Sequence, residues 1–188
     1  MEHYALPAVL VLLLLAFISI YLGRRKLQQK WGNLKTRKSL DQLGLKQISN
    51  VHYPDGLGHY FTIDRLILRH DGITLLMYKP FPGKIYCAEN IDHWTQMLGT
   101  KSYRFKNPLY ELDNQIKAVS AYIPGVPVNG FLFFDSQAEF PKGHPERIIH
   151  LKNIPDELKR DKKQEAKAPV LSAWKKLLTM LKAGKKLS

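Results

Sequence analysis

Cysteine is nearly absent from this chain: Cys87 is the single cysteine among 188 residues. One cysteine cannot form an internal disulfide, so a disulfide-stapled fold is excluded and a reducing compartment suits the chain. The sequence also lacks a glycine-rich phosphate loop and a nucleophile-elbow motif. Its histidines show no metal-ligand spacing and are interpreted as surface or structural residues. These absences argue against several common enzyme classes.

Charge is absent from residues 5–22, where nearly every side chain is apolar. A helix of this length rises roughly 27 Å, close to the hydrocarbon thickness of a bilayer. A cleaved signal peptide would carry positive charge before the run and small residues at its end, whereas Glu2 and His3 precede this one. A buried core helix is rarely so uniformly apolar. The pattern predicts a transmembrane helix over 5–22, preceded by a short external N-terminus, residues 1–4.

Acidic residues are missing from the stretch that follows, residues 24–38, which holds seven Lys and Arg. Cytoplasmic flanks of membrane helices carry the Lys/Arg excess. We therefore expect a single-pass protein of the cell inner membrane with its N-terminus outside and its C-terminal domain in the cytoplasm. Apolar residues at helical spacing further predict that residues 23–44 form a basic juxtamembrane helical segment.

The net charge of +13 is concentrated in the two flanks of the chain. The C-terminal residues 159–188 hold ten Lys/Arg against Asp161 and Glu165, whereas residues 39–158 hold twelve Lys/Arg against thirteen Asp/Glu. Basic segments beside a membrane attract anionic lipid headgroups, with about 1 kcal/mol per residue near the surface. Membrane lipids are therefore the expected partners, and nucleic acid could use the same charges.

Residues 157–188 are predicted to form a basic linker and an amphipathic C-terminal helix. The apolar side chains from Val170 to Leu181 fall on one helical face, Pro169 suits the first turn, and Gly184 suits the end. The helix could lie on a bilayer with Trp174 at the interface, or it could pack on its own domain. The sequence leaves both alternatives open.

The intervening residues 45–156 alternate between strand-like and helical patterns. Strands are predicted over 45–53, 60–69, 73–78, 84–88, 94–98, 103–105, 131–134 and 148–151, and a helix over 109–122. Asp71-Gly72 signals a tight hairpin between the second and third strands. The order predicts an α/β fold with a mixed central sheet flanked by helices.

Four segments within this region carry a resemblance to a known family. They are "FTIDRLIL" (61–68), "DGITLLMYK" (71–79), "GKIYCAENIDHWTQ" (83–96) and "FKNPLYELDNQIKAV" (105–119). In order and spacing they resemble the NERD (nuclease-related) domain, a branch of the PD-(D/E)XK, restriction-endonuclease-like superfamily. The resemblance implies a restriction-endonuclease-like core and metal-assisted phosphodiester hydrolysis.

The resemblance also implies roles for individual residues. Asp64 matches the first metal-binding carboxylate, Lys79 matches the lysine that steadies the developing charge, and Gln115 matches the family's helical glutamine. The second carboxylate falls on Met77, whose neutral thioether cannot replace glutamate as a ligand for Mg²⁺. The glutamate of the family's N-terminal helix has no evident counterpart, since residues 33–43 offer only Asp41.

Two functional readings follow from this departure. In the first, the nuclease site is degenerate, Asp64 binds a metal only weakly, no cofactor is needed, and the domain has a binding or scaffolding role at the membrane. In the second, the chain is an active Mg²⁺- or Mn²⁺-dependent nuclease for DNA or RNA. That alternative needs a replacement carboxylate from Glu89, Asp92, Glu111 or Asp113, among which the sequence does not choose.

Overall fold

A computed structural model describes residues 38–54, 60–134, 136–150, 153–160 and 164–184. The predicted transmembrane helix 5–22 and most of the juxtamembrane segment 23–44 lie outside these ranges. Within them, no helix is long and apolar enough to cross a membrane. The chain divides into two compact units, residues 1–40 and 41–188. Of the first unit only residues 38–40 are described, and they are helical.

The second unit is a mixed α/β domain, as predicted. In chain order its strands are β1 (Lys46–Pro54), β2 (Tyr60–Leu68), β3 (Ile73–Lys79), β4 (Gly83–Tyr86), β5 (His93–Leu98), β6 (Lys101–Lys106), β7 (Val128–Phe134), β8 (Ala138–Glu139) and β9 (Ile148–His150). Its helices are α1 (Pro108–Tyr122), between β6 and β7, and α2 (Ala168–Gly184), after β9; a 3-10 turn covers Asp156–Leu158. Each predicted strand and helix of this region appears, with ends shifted by at most three residues.

The central sheet has the strand order β1-β2-β3-β7-β9. The first three strands are antiparallel neighbours, whereas β7 and β9 continue the sheet in parallel. The turn between β2 and β3 is tight, as Asp71-Gly72 predicts, and the Arg69 N–H donates to the Gly72 carbonyl at 2.9 Å. A Cβ at Gly72 would lie 2.6 Å from the Pro127 carbonyl oxygen, so glycine lets the turn approach the start of β7.

A second sheet with the order β6-β5-β4-β8 differs from the expectation of one central sheet. In its strands, Ile85, Trp94 and Phe105 pack toward the core, while the neighbouring Lys84, Arg104 and Lys106 are exposed. Sequence patterns show such alternation but not which strands pair. The two-residue strand β8 is too short to leave a periodic signal, and it was not predicted.

Helix α1 crosses the central sheet next to β7. Asn107 caps it by accepting the Leu109 N–H at 2.9 Å, and Pro108 occupies its first turn. Leu112 and Val119 are fully buried under the helix. A Cβ at Gly130 would come 2.6 Å from the Ile116 side chain, so a glycine in β7 allows the helix to lie close to the sheet.

Helix α2 packs on its own domain, which decides between the two alternatives left by the sequence. Val170, Trp174 and Leu177 are buried in the same core as β1 and β2. The Lys176 ammonium donates to the Tyr122 carbonyl at 2.8 Å and lies 4.4 Å from the centre of the Tyr122 ring. The apolar face of this helix is therefore occupied by protein.

Candidate functional site

Asp64 lies in the middle of β2, and its carboxylate contacts the backbone of β3. One carboxylate oxygen, Oδ2, accepts the Tyr78 N–H at 2.7 Å. Arg65 pairs with Leu76, so the same register extended by one residue sets Asp64 opposite Met77. Side chains of directly opposed residues on antiparallel strands lie on the same face. Position 77 is therefore where a second carboxylate could join Asp64.

Met77 is instead part of the hydrophobic core. Its exposed fraction is 4%, and it belongs to the cluster formed by the central sheet and both helices. A flexible thioether fills irregular gaps in a core, which is the usual role of a buried methionine. The structure thus places an apolar packing residue at the position next to Asp64.

Lys79 is the last residue of β3. It follows Met77 by two residues, so both side chains lie on the same face of the strand. Its ammonium is 3.4 Å from Oε2 of Glu111, a residue in the first turn of α1. The Lys79 side chain is mostly buried, whereas the Glu111 side chain is mostly exposed. Of the four carboxylates that the sequence offered as replacements, Glu111 is the one that contacts Lys79.

Gln115 lies one turn further along α1 and is 3% exposed. Its side-chain amide donates to the Thr62 carbonyl of β2 at 3.2 Å. The glutamine thus ties the helix to the strand that carries Asp64, two residues from that carboxylate. The structure brings Gln115 to β2 rather than to open solvent.

The other three carboxylates are engaged elsewhere. Arg147 bridges Asp113, at 2.5 Å, and Glu89, at 3.2 Å, and the hydrogen bond to Asp113 is the main cause of a raised Arg147 pKa. Asp92 accepts the Tyr110 hydroxyl at 3.1 Å. Asp41, the acidic residue of the N-terminal segment, pairs with Arg65 at 2.9 Å.

These donors do not fit a hard divalent cation. Mg²⁺ requires octahedral oxygen coordination with one or two carboxylates, and here the residue opposite Asp64 supplies a thioether. Asp64 already accepts a backbone N–H. Among the residues that the structure describes, no group of three or more His, Cys, Asp or Glu could hold a metal ion.

Two further family positions have structural roles that explain their residue types. Trp94 is fully buried; its indole N–H donates to the Ala88 carbonyl at 2.9 Å. The Asn107 amide donates to the carbonyls of Glu89 and Ile91, each at 2.9 Å, while its oxygen caps α1. Trp94 thus ties the loop 87–92 to β5, and Asn107 ties the same loop to the start of α1.

Asp64 on β2, Lys79 at the end of β3 and Gln115 on α1 are the positions that the resemblance to a nuclease-related domain singled out in the sequence. The nuclease-related domain (NERD) family matches residues 28–135, more than half of the chain, and the chain belongs to this family.

An uncharacterized protein of Bacillus anthracis is 26% identical over 126 residues, which cover 63% of this chain. The match spans 58% of the length of that relative. No solved structure matches the chain.

Proposed function

We propose that this chain is a NERD protein anchored in the membrane, with a degenerate nuclease site and a binding or scaffolding role at the cytoplasmic face. The observation that carries the proposal is Met77, which is buried in the core beside Asp64. We further assign the domain to the restriction-endonuclease-like fold. The antiparallel β1–β3, followed through α1 by the parallel strand β7, supports that assignment.

The degenerate site is supported by how its remaining polar groups are used. Asp64 satisfies the Tyr78 N–H, Lys79 is neutralised by Glu111, and Gln115 satisfies the Thr62 carbonyl. Each contact stabilises the fold without a metal, since buried polar groups need such partners. A site whose groups are already paired is suited to structural support, and we assign no catalytic step to it.

The full-length protein is expected to show no cleavage of single- or double-stranded DNA or RNA in Mg²⁺ or Mn²⁺ above that of the Asp64→Ala variant. The physical reason is the missing second oxygen ligand at position 77. The measurement is product formation on gels over time, with EDTA as the reference. Metal-dependent cleavage by the wild type that Asp64→Ala abolishes would overturn the degenerate-site proposal.

A second candidate function, metal-dependent nuclease activity, is favoured by one contact. Glu111 reaches Lys79 at 3.4 Å, so a carboxylate does stand at the end of β3, although it comes from α1. If Glu111 replaces the family's glutamate, Glu111→Gln must abolish cleavage as completely as Asp64→Ala does. The exposed Glu146 provides a matched Glu→Gln control.

The membrane part of the proposal rests on the apolar run 5–22 and the basic residues 24–38. Anionic headgroups are the proposed partners of this basic segment. A reporter fused after Ser188 is expected to read cytoplasmic, and the protein should stay with membranes until detergent is added. Digestion of the domain by external protease would contradict the orientation, and release by high salt alone would contradict the anchor.

A further inference from the structure

The outward face of the second sheet gathers positive charge from several elements. Because side chains alternate along a strand, Lys84 of β4 and Arg104 and Lys106 of β6 lie on the face opposite Ile85, Trp94 and Phe105, which pack against the core. All three cations are exposed. The loop after β8 adds Lys142, whose ammonium lies 5.9 Å from the centre of the Tyr86 ring on β4.

Negative charge is scarce on this face. The strands of the second sheet place one acidic residue on this face, Glu139 of β8, which lies opposite Lys84. None of the four cations forms an ion pair with a carboxylate in the part of the chain that the structure describes, although Lys79, Arg65, Arg69 and Arg147 do. Residues 39–158 hold twelve Lys/Arg against thirteen Asp/Glu, and four of those cations lie together on this surface, which we call the basic sheet face.

Protection of an exposed sheet edge explains only part of this charge. Lysine and arginine on an edge strand prevent pairing with other chains, and β6 is an edge strand. Lys84 lies on the interior strand β4, and Lys142 lies on a loop. Edge protection therefore accounts for Arg104 and Lys106 but not for the other two cations.

We propose that the basic sheet face binds single-stranded nucleic acid. Arg104 and Lys106 are two residues apart, about 7 Å along the strand, a spacing that lets successive phosphates be contacted. Tyr86, Thr95 and Arg104 form one row across the sheet, with an aromatic ring, a hydroxyl and a guanidinium. Open sheet faces that combine cations with aromatic rings suit unpaired bases and their backbone.

A lipid surface fits this face less well. Binding to a bilayer requires exposed apolar side chains as well as cations. The exposed apolar residues of this hairpin, Leu98 and Tyr103, share the strand parity of Trp94 and Phe105 and so belong to the other face. The aromatic and apolar residues on the basic sheet face, Tyr86 and Met97, are both half-buried. The surface is polar and cationic, which favours a charged polymer over a membrane.

The test uses full-length protein in nanodiscs of neutral lipid, with EDTA present and a labelled oligothymidine of about 12 nucleotides. Binding is followed by fluorescence anisotropy across salt concentrations. The double variant Lys84→Ala/Lys106→Ala is expected to lower the slope of log affinity against log salt by about 1.4, since each phosphate contact contributes about 0.7 for a single strand. The basic flanks are common to all samples, so the difference in slope between variants measures the contribution of the basic sheet face.

The matched control is Lys117→Ala/Lys175→Ala, which removes the same charge from exposed positions of α1 and α2. An equal fall in slope in this control, or no fall in the sheet variant, would overturn the proposal. Ser102→Glu adds an exposed negative charge to the same face without removing a contact, and it should weaken binding while leaving the melting temperature unchanged. Unchanged binding by this variant would also overturn it.

A parallel measurement with vesicles containing anionic lipid separates the membrane alternative. If the sheet variant loses vesicle binding and keeps oligothymidine binding, the face is a lipid surface and the proposal is wrong. Because EDTA is present throughout, the result does not depend on whether the Asp64–Lys79 site is catalytically silent. If the oligothymidine test fails, the proposed function still stands. If the nuclease test overturns the proposed function, the proposal for the basic sheet face still stands.

Discussion

Replacing Met77 by glutamate is expected to destabilise the domain by about 3 to 5 kcal/mol, since it leaves an uncompensated charge in the core. Met77 is 4% exposed, and both helices contribute to the cluster around it. The new carboxylate would stand beside Asp64, so a divalent ion that binds both groups should restore part of the lost stability. Urea denaturation with and without Mn²⁺ measures the loss and the recovery, and calorimetry with Mn²⁺ measures the affinity gained.

Met77→Leu is the matched control, because it keeps the volume and the apolar character of the side chain and should cost less than about 1.5 kcal/mol. Its stability should not respond to Mn²⁺. Two results would contradict the account given above. A Met77→Glu variant as stable as the wild type would mean that this side chain is not in the core. Strong Mn²⁺ binding by the wild type, lost in Asp64→Ala, would mean that another group completes the site.

Trp174→Ala is expected to lower the free energy of unfolding by about 3 to 5 kcal/mol, the cost of removing a large buried aromatic side chain. Trp174 is 3% exposed and lies in the core with Val170 and Leu177 of the same helix. If α2 instead lay on a bilayer, the substitution would reduce membrane binding and leave the unfolding midpoint of the domain unchanged. Urea denaturation of the full-length protein distinguishes these results.

The neighbouring Lys175 supplies the control for this helix. It is exposed, so Lys175→Ala should change stability by less than about 0.5 kcal/mol. A variant at Trp174 that unfolds at the same urea concentration as the Lys175 variant would show that the helix does not contribute to the core. The same pair of variants can be compared on anionic vesicles, where Trp174→Ala should lose no more binding than Lys175→Ala if the apolar face is covered.

Much of the fold could be predicted because its elements carry local signals. Asp71-Gly72 marks the β2–β3 hairpin, and Asn107-Pro108 marks the start of α1. The pairing of strands and the packing of helices were harder to predict. Periodicity shows which side chains share a face, but it does not show what covers that face. The pairing of β4–β6 with β8 in a separate sheet, and the packing of α2 on the domain, are such long-range choices.

The residues of the candidate site stay a prediction from the sequence, and their contacts could not be predicted from it. The motif identified Asp64, Lys79 and the departure at Met77, because these positions have a fixed spacing on two adjacent strands. It could not choose among four carboxylates that lie on a loop and a helix. Glu111 contacts Lys79 because α1 begins beside the end of β3, and that placement depends on tertiary packing.

The order of the elements along the chain also determines when the core can be completed. Strands β1 and β2 are partly covered by α2, which follows them by about 110 residues. At synthesis rates of 5 to 20 residues per second, the apolar surface that Trp174 and Leu177 will cover stays open for roughly 10 s after β2 is made. During that interval the nascent chain presents a hydrophobic surface beside a two-stranded hairpin, which makes it a substrate for chaperones and prone to aggregation. Variants that weaken α2 should therefore lower the yield of folded protein in cells more than their equilibrium stability predicts.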